Sequence, residues 1–141
     1  MVHVPNAVAV SELSTALEKK LRLRGRGKVR DTYELPGGKL LVVATDRISI
    51  FDFVLGCLIP VKGEILTAIT AYWLTGPLKT FSNHLIAAGA AIDQHLPKTL
   101  QGRTDLQKRA LVVQNLTMAP IEAIVRGYLT GSGLKLSLIH I

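Results

Sequence analysis

An α+β fold, in which antiparallel strands dominate and at least one helix packs on them, is what this sequence predicts. Three observations carry it. Polar and apolar residues alternate from Lys28 to Leu35, the mark of a strand with one buried face. The turn residues Pro36-Gly37-Gly38 lead into a more apolar run, Lys39 to Thr45, which reads as the deeper partner of an antiparallel hairpin. Between Gly63 and Leu74, the residues Ile65, Leu66, Ile69, Tyr72 and Trp73 recur at helical spacing. They predict a helix whose apolar face, Tyr72 and Trp73 included, enters the core.

The remaining elements follow in order. Met1 to Asn6 carry no signal. Ser11 can cap a helix, and Leu13, Ala16, Leu17 and Leu21 give it an apolar stripe to about Leu21. Arg24-Gly25-Arg26-Gly27 breaks that helix and forms a basic, glycine-rich entrance to the hairpin. Gly25 and Gly27 let a ligand approach the backbone while Arg26, Lys28 and Arg30 neutralise a polyphosphate; the same residues also fit a solvated linker. One G-x-G is neither a Walker loop nor a dinucleotide fingerprint. Asp46 to Asp52 follows the second strand, where binding residues often gather. Asp46 with Arg47 also fits a local ion pair, and Ser49 or Asp52 a turn cap. Phe53 to Ile59 reads as a short apolar strand. Pro97 to Asp105 reads as a polar loop, and Ala110-Leu111-Val112-Val113 as a strand.

Composition narrows the classes. At 141 residues and 48% hydrophobic content, the chain can bury one modest core. Its net charge of +7 is local, because Lys19, Lys20, Arg22, Arg24, Arg26, Lys28 and Arg30 hold seven basic residues with no acid between them. Such a run binds phosphates or forms a solvated face. An aromatic content of 5% leaves few platforms for stacking bases, so no nucleic-acid partner is expected. Cys57, the single cysteine, excludes a disulfide framework, and its apolar neighbours predict a small buried hydrophobe. His84 and His95 lack neighbours at metal-ligand spacing. Without a signal-like start or a membrane-length apolar run, a cytoplasmic location away from membranes is expected.

Pro120 to Gly133 concentrates the most information. Alternation places Ile121, Ala123 and Val125 on one face of a strand and Glu122, Ile124 and Arg126 on the other. Two charges on a β-branched strand are costly unless paired or used. Beside Arg126, Thr130-Gly131-Ser132-Gly133 offers free N–H groups and hydroxyls that suit a phosphate. An ion pair followed by an ordinary turn is the other reading of these residues.

Three segments carry a resemblance: Gly27-Lys-Val-Arg-Asp-Thr-Tyr33; Ala44-Thr-Asp-Arg-Ile-Ser-Ile-Phe-Asp52 running on to Pro60-Val-Lys-Gly-Glu64; and Pro120-Ile-Glu-Ala-Ile-Val-Arg-Gly-Tyr-Leu-Thr-Gly-Ser132. Together with Asn83-His84-Leu85, they resemble the SAICAR synthetase family from about Gly25 to Lys135. The resemblance implies a nucleotide-binding lobe similar to the small lobe of protein kinases. It also implies a ligase of purine biosynthesis, which joins L-aspartate to an aminoimidazole carboxylate ribotide while ATP is split to ADP and phosphate. Carried over, Gly27, Lys28 and Arg30 would cover the ATP phosphates. The strand ending Val112-Val113-Gln114 would resemble a kinase hinge, whose backbone groups meet adenine, and Glu122 would reach the ribose. Arg126 and Ser132 would hold the ribotide phosphate. Ser49 and Asp52 would lie near the ribotide or aspartate, with Lys28 and Asp52 as the catalytic pair.

The same resemblance divides the chain into a nucleotide-binding lobe over 1–110, a hinge strand and the start of the substrate region over 111–135, and a tail over 136–141 unlike the family. Ile50 stands where the family usually has a small residue, and Leu134 where a large aromatic is frequent. The C-terminal domain, with the magnesium ligands, is expected to be missing, leaving a fragment with an exposed apolar surface and little activity of its own. A free-standing ATP-binding module and a small basic nucleic-acid-binding domain are the alternatives.

Overall fold

The computed structural model describes residues 10–121, 124–125, 127–128, 130–131 and 133–134. Helix α1 (Val10–Glu18) is followed by β1 (Leu23–Arg26), β2 (Arg30–Leu35), β3 (Lys39–Ala44), β4 (Arg47–Ile50), β5 (Phe53–Leu58) and α2 (Lys62–Thr75). After these come β6 (Leu85–Ala88), two 3-10 turns (Gly89–His95 and Lys98–Leu100), α3 (Thr104–Arg109) and β7 (Ala110–Gln114). Five strands form one antiparallel sheet in the order β1-β2-β3-β7-β6, and β4 and β5 form a separate two-stranded ribbon.

The hairpin alternation determines which side of the sheet is buried. Asp31, Tyr33 and Leu35 of β2 are buried and the residues between them are not. Leu35 pairs with Lys39 across the turn, where Gly37 and Gly38 take φ of 74° and 68°, values that glycine adopts without strain. Tyr33, Leu35, Leu41, Val43, Ala110 and Val112 thus share one face. It is covered by Leu13, Leu17 and Leu21 on one side and Ile92, Leu96, Leu100 and Leu106 on the other. The opposite face, with Thr32, Leu40, Val42, Leu111 and Val113, is open to a cleft.

Several expectations change. Arg24-Gly25-Arg26 is not a break but part of β1, paired with β2 through a bulge between Leu23 and Gly25. An edge strand needs only one partner, and glycine suits the bulge. The face of α2 read as core is exposed, with Ile65 at 54%, Ile69 at 49%, Tyr72 at 64% and Trp73 at 49%. Helical spacing identifies a stripe but not the side that meets the sheet. That side carries Gly63 and Thr67, because a side chain at residue 63 would place Cβ 2.5 Å from the Ala44 carbonyl oxygen.

Cys57 is exposed rather than buried, since β5 belongs to the ribbon and no layer of described residues covers it. The loop expected over 97–105 holds a 3-10 turn and the start of α3, fixed by buried Leu100 and Leu106. Beyond Gln114 the strand expected over 120–126 is absent among the described residues. Ile121, Ile124 and Val125 are exposed and lie in no strand, while Glu122, Ala123 and Arg126 of the expected strand lie outside the described residues. β7 lies between β3 and β6, so the sheet continues across residue 110. Among the described residues no helix is long and apolar enough to cross a membrane.

Candidate functional site

A cleft of about 770 Å³ opens on the uncovered sheet face. Its apolar walls are Leu40, Val42, Val113, Leu116 and Met118, and its polar rim is Arg24, Arg26, Gly27 and Arg30 at one end and His84, Gln114 and Asn115 at the other. A deeper recess of about 130 Å³ continues between the sheet and α2, reaching Thr67 and Thr70. The two spaces share Arg30, Val42, His84 and Val113.

Strand register places the cations at this cleft. Arg30 begins β2 on the face opposite Asp31 and Tyr33, and Arg24 sits in the β1 bulge. The basic run is largely matched by carboxylates: Arg22 lies 3.7 Å from Glu34, Arg26 pairs with Glu18 and Asp31, and Lys28 donates to Asp52 at 2.5 Å. Arg24 and Arg30 have no carboxylate within ion-pair distance among the described residues, and both line the cleft. Two uncompensated guanidiniums beside an apolar slot favour a ligand with an anionic end and a flat apolar end.

The loop joining β1 to β2 is held by its backbone. The Gly27 amide donates to the Arg30 carbonyl at 2.7 Å, and Val29 O accepts from Thr45 N at 3.0 Å and Thr45 Oγ1 at 2.8 Å. Arg47 Nη2 donates to Gly27 O at 3.0 Å and to Asp31 Oδ1 at 2.6 Å. A side chain on Gly27 would place Cβ 3.0 Å from Arg30 O, so the loop keeps its tightness through glycine. Asp46 and Arg47, a possible local pair in the sequence, instead reach different partners. Asp46 Oδ1 accepts from Gly63 N at 2.9 Å and from Arg109 Nη1 at 3.3 Å, while Arg109 Nη2 donates to Glu64 at 3.1 Å. With Arg109 1% exposed and Asp46 0%, this pair fixes α2 and α3 against the end of β3.

Of the residues expected at the site, Gly27, Arg30 and Val113 meet at the cleft. Val112 is fully buried on the other sheet face, so only its backbone is available to a ligand. Lys28 points instead to Asp52 at the tip of the β4–β5 ribbon. That hydrogen bond, with the ammonium charge behind it, holds the Asp52 carboxyl below the usual carboxylate range. Ser49 lies on β4 opposite Val54, outside the cleft lining. Glu122, Arg126, Ser132 and the tail over 136–141 lie outside the described residues. Sequence reasoning did not single out Arg24 or Met118 as ligand-facing groups or Asp31 and Arg109 as buried ions, and it offered Arg47 rather than Arg109 as the partner of Asp46. Asp31 alone left a signal, a charge in phase with Val29, Tyr33 and Leu35.

The sequence profile of the SAICAR synthetase family matches residues 23–140. A phosphoribosylaminoimidazole-succinocarboxamide synthase of Saccharomyces cerevisiae is 44% identical over 131 residues, 89% of this chain and 43% of that protein. One of Mycolicibacterium vanbaalenii is 49% identical over 110 residues, 77% of this chain and 34% of its own. Among solved structures, a SAICAR synthase superposes with a TM-score of 0.74 at 41% identity, covering 84% of this chain and 41% of that one. The SAICAR synthase of S. cerevisiae in complex with SAICAR gives 0.74 at 36% identity, covering 97% and 45%. The chain therefore spans less than half the length of the curated relatives it matches.

Proposed function

The chain belongs to the SAICAR synthetase family, and from that premise we propose that its open sheet face binds ATP as part of an ATP-dependent ligase of purine biosynthesis. The observation that carries this reading is the pair Arg24 and Arg30, uncompensated by carboxylates among the described residues, at one end of an apolar slot that ends at Val113 and Gln114. In this reading adenine occupies the apolar slot and meets the backbone near Val113 and Gln114. Gly27, Arg24 and Arg30 face the phosphates, and Glu122 reaches the ribose.

The ligase joins L-aspartate to the aminoimidazole carboxylate ribotide. A carboxylate is a poor electrophile, so phosphoryl transfer from ATP converts it to an acyl phosphate, which the aspartate amine attacks with release of phosphate. Positioning and charge compensation are what a protein contributes to such a transfer. Arg126 and Ser132 are assigned to the ribotide phosphate, and Ser49 and Asp52 to the region of the ribotide or aspartate. Magnesium would offset further phosphate charge, and the described residues contain no group of three or more acidic, histidine or cysteine side chains able to hold it. A nucleotide-binding lobe over 1–110, followed by a hinge strand and the start of the substrate region over 111–135, goes with this assignment, as does a cytoplasmic setting.

Calorimetric titration of this chain with ATP, inorganic tripolyphosphate and a short RNA tests the binding step. One-to-one binding of ATP, displaced by tripolyphosphate, is expected. RNA binding without ATP binding would replace the reading with a nucleic-acid-binding domain. The reaction is tested by ADP release, with ribotide and aspartate, from this chain joined to the C-terminal part of a relative; ATP binding without ribotide-dependent release would leave a nucleotide-binding module.

A further inference from the structure

We propose that the β4–β5 ribbon clasps the 27–30 loop at two points, a fixed one at its root and an exchangeable one at its tip, where Asp52 surrenders Lys28 to an incoming polyphosphate. The proposal rests on the nucleotide reading above and assigns a control of ligand entry to that site.

The root is fixed by burial. Arg47 opens β4, its side chain is 11% exposed, and it bonds both Asp31 and the Gly27 carbonyl. Thr45, two residues before it, holds Val29 O through amide and hydroxyl. These bonds account for the loop backbone on either side of residue 28. They do not touch the Lys28 side chain, whose single partner among the described residues is Asp52.

The tip differs in every respect. Lys28 and Asp52 side chains are 53% and 88% exposed, so their bond is open to water and to competing anions. The two-residue connection at the tip, Phe51-Asp52, has φ of 46° and 72°. The left-handed region is costly for a bulky residue such as Phe51, and Phe51, at 92% exposure, has no packing that would enforce it. Lys28 lies between Gly27 and Arg30, both of which line the cleft. A polyphosphate bridging Arg24 and Arg30 therefore carries several negative charges close to the ammonium that Asp52 neutralises with one. Asp52 is an internal competitor for Lys28, and its release frees the ribbon tip without disturbing the root.

Tripolyphosphate and ATP affinities of the wild-type chain and of Asp52→Asn, Lys28→Met and the double variant form the test. Far-ultraviolet circular dichroism confirms that each variant is folded. An amide in place of the carboxylate keeps the shape but not the charge, so Asp52→Asn is expected to tighten tripolyphosphate by about two- to five-fold, the range of an exposed ion pair. The gain should vanish when Lys28 is already replaced by methionine, and Asp52→Glu should restore wild-type affinity. If both ligands bind but Asp52→Asn leaves affinity unchanged or weaker, or tightens it equally in the Lys28→Met background, the exchange is overturned while the nucleotide reading stands. If neither ligand binds the folded wild-type chain, the nucleotide reading falls and takes the exchange with it.

Discussion

Arg30 is the residue on which the nucleotide assignment is most exposed to test. Arg30→Ala is expected to weaken ATP by roughly 1.5–3 kcal/mol, the scale of a hydrogen bond to a charged group. Arg30→Lys should recover only part of that, because a lysine keeps the charge but not the planar fork. Calorimetry at fixed ionic strength checks both, and an unchanged affinity in Arg30→Ala would return Arg30 to solvent. The sequence made Gly27 and Arg30 legible because glycine and cation types are themselves the signal. Arg24 was hidden by a run of chemically similar neighbours, and only the β1 bulge distinguishes it from Arg22 or Arg26. Asp31 and Arg47 lie sixteen residues apart, and no local pattern joins them.

At the scale of elements, α2 and α3 are joined to β3 by buried charge rather than by apolar contact alone. Arg109→Met would leave Asp46 buried without its Arg109 guanidinium. Losing one partner of a buried pair costs about 3–5 kcal/mol, so thermal unfolding should fall steeply, and Asp46→Leu added to Arg109→Met should recover much of it. Acid sensitivity is expected at the N-terminus of α3. Burial pushes the Asp105 carboxyl up, but the Arg103 guanidinium and the Leu106 amide outweigh it and leave it below the usual carboxylate range. A depressed folded-state value means that this stability is fully present above the ordinary carboxylate range and is lost as pH falls through the lowered one. Asp105→Asn should therefore flatten that part of the acid limb in urea unfolding measured across pH, and an unaltered acid limb would remove the role. β2 and β3 were legible because alternation and a glycine turn state both register and face. The buried side of α2 was not, because close approach demanded Gly63 and Thr67 rather than large apolar residues.

For the whole molecule, the exposed face of α2 sets behaviour in solution. Ile65, Ile69, Tyr72 and Trp73 share a helix that presents them outward, and Phe51, Phe53 and Val54 on the ribbon are also exposed. Tyr72 and Trp73 meet edge to face at 5.9 Å between ring centroids, so each covers only a little of the other. Apolar surface of this kind drives association. The isolated chain is expected to bind the dye ANS strongly while folded and to scatter light increasingly with concentration. The double substitution Ile69→Lys and Trp73→Lys should lower both signals. Because the two side chains are half exposed and lysine suits a helix, stability should move by no more than about 0.5 kcal/mol, as for ordinary surface changes. A large fall in the melting temperature would instead mean that this face is packed within the molecule. Unchanged dye binding with unchanged stability would move the association surface to the ribbon, where Phe53→Lys provides the equivalent test.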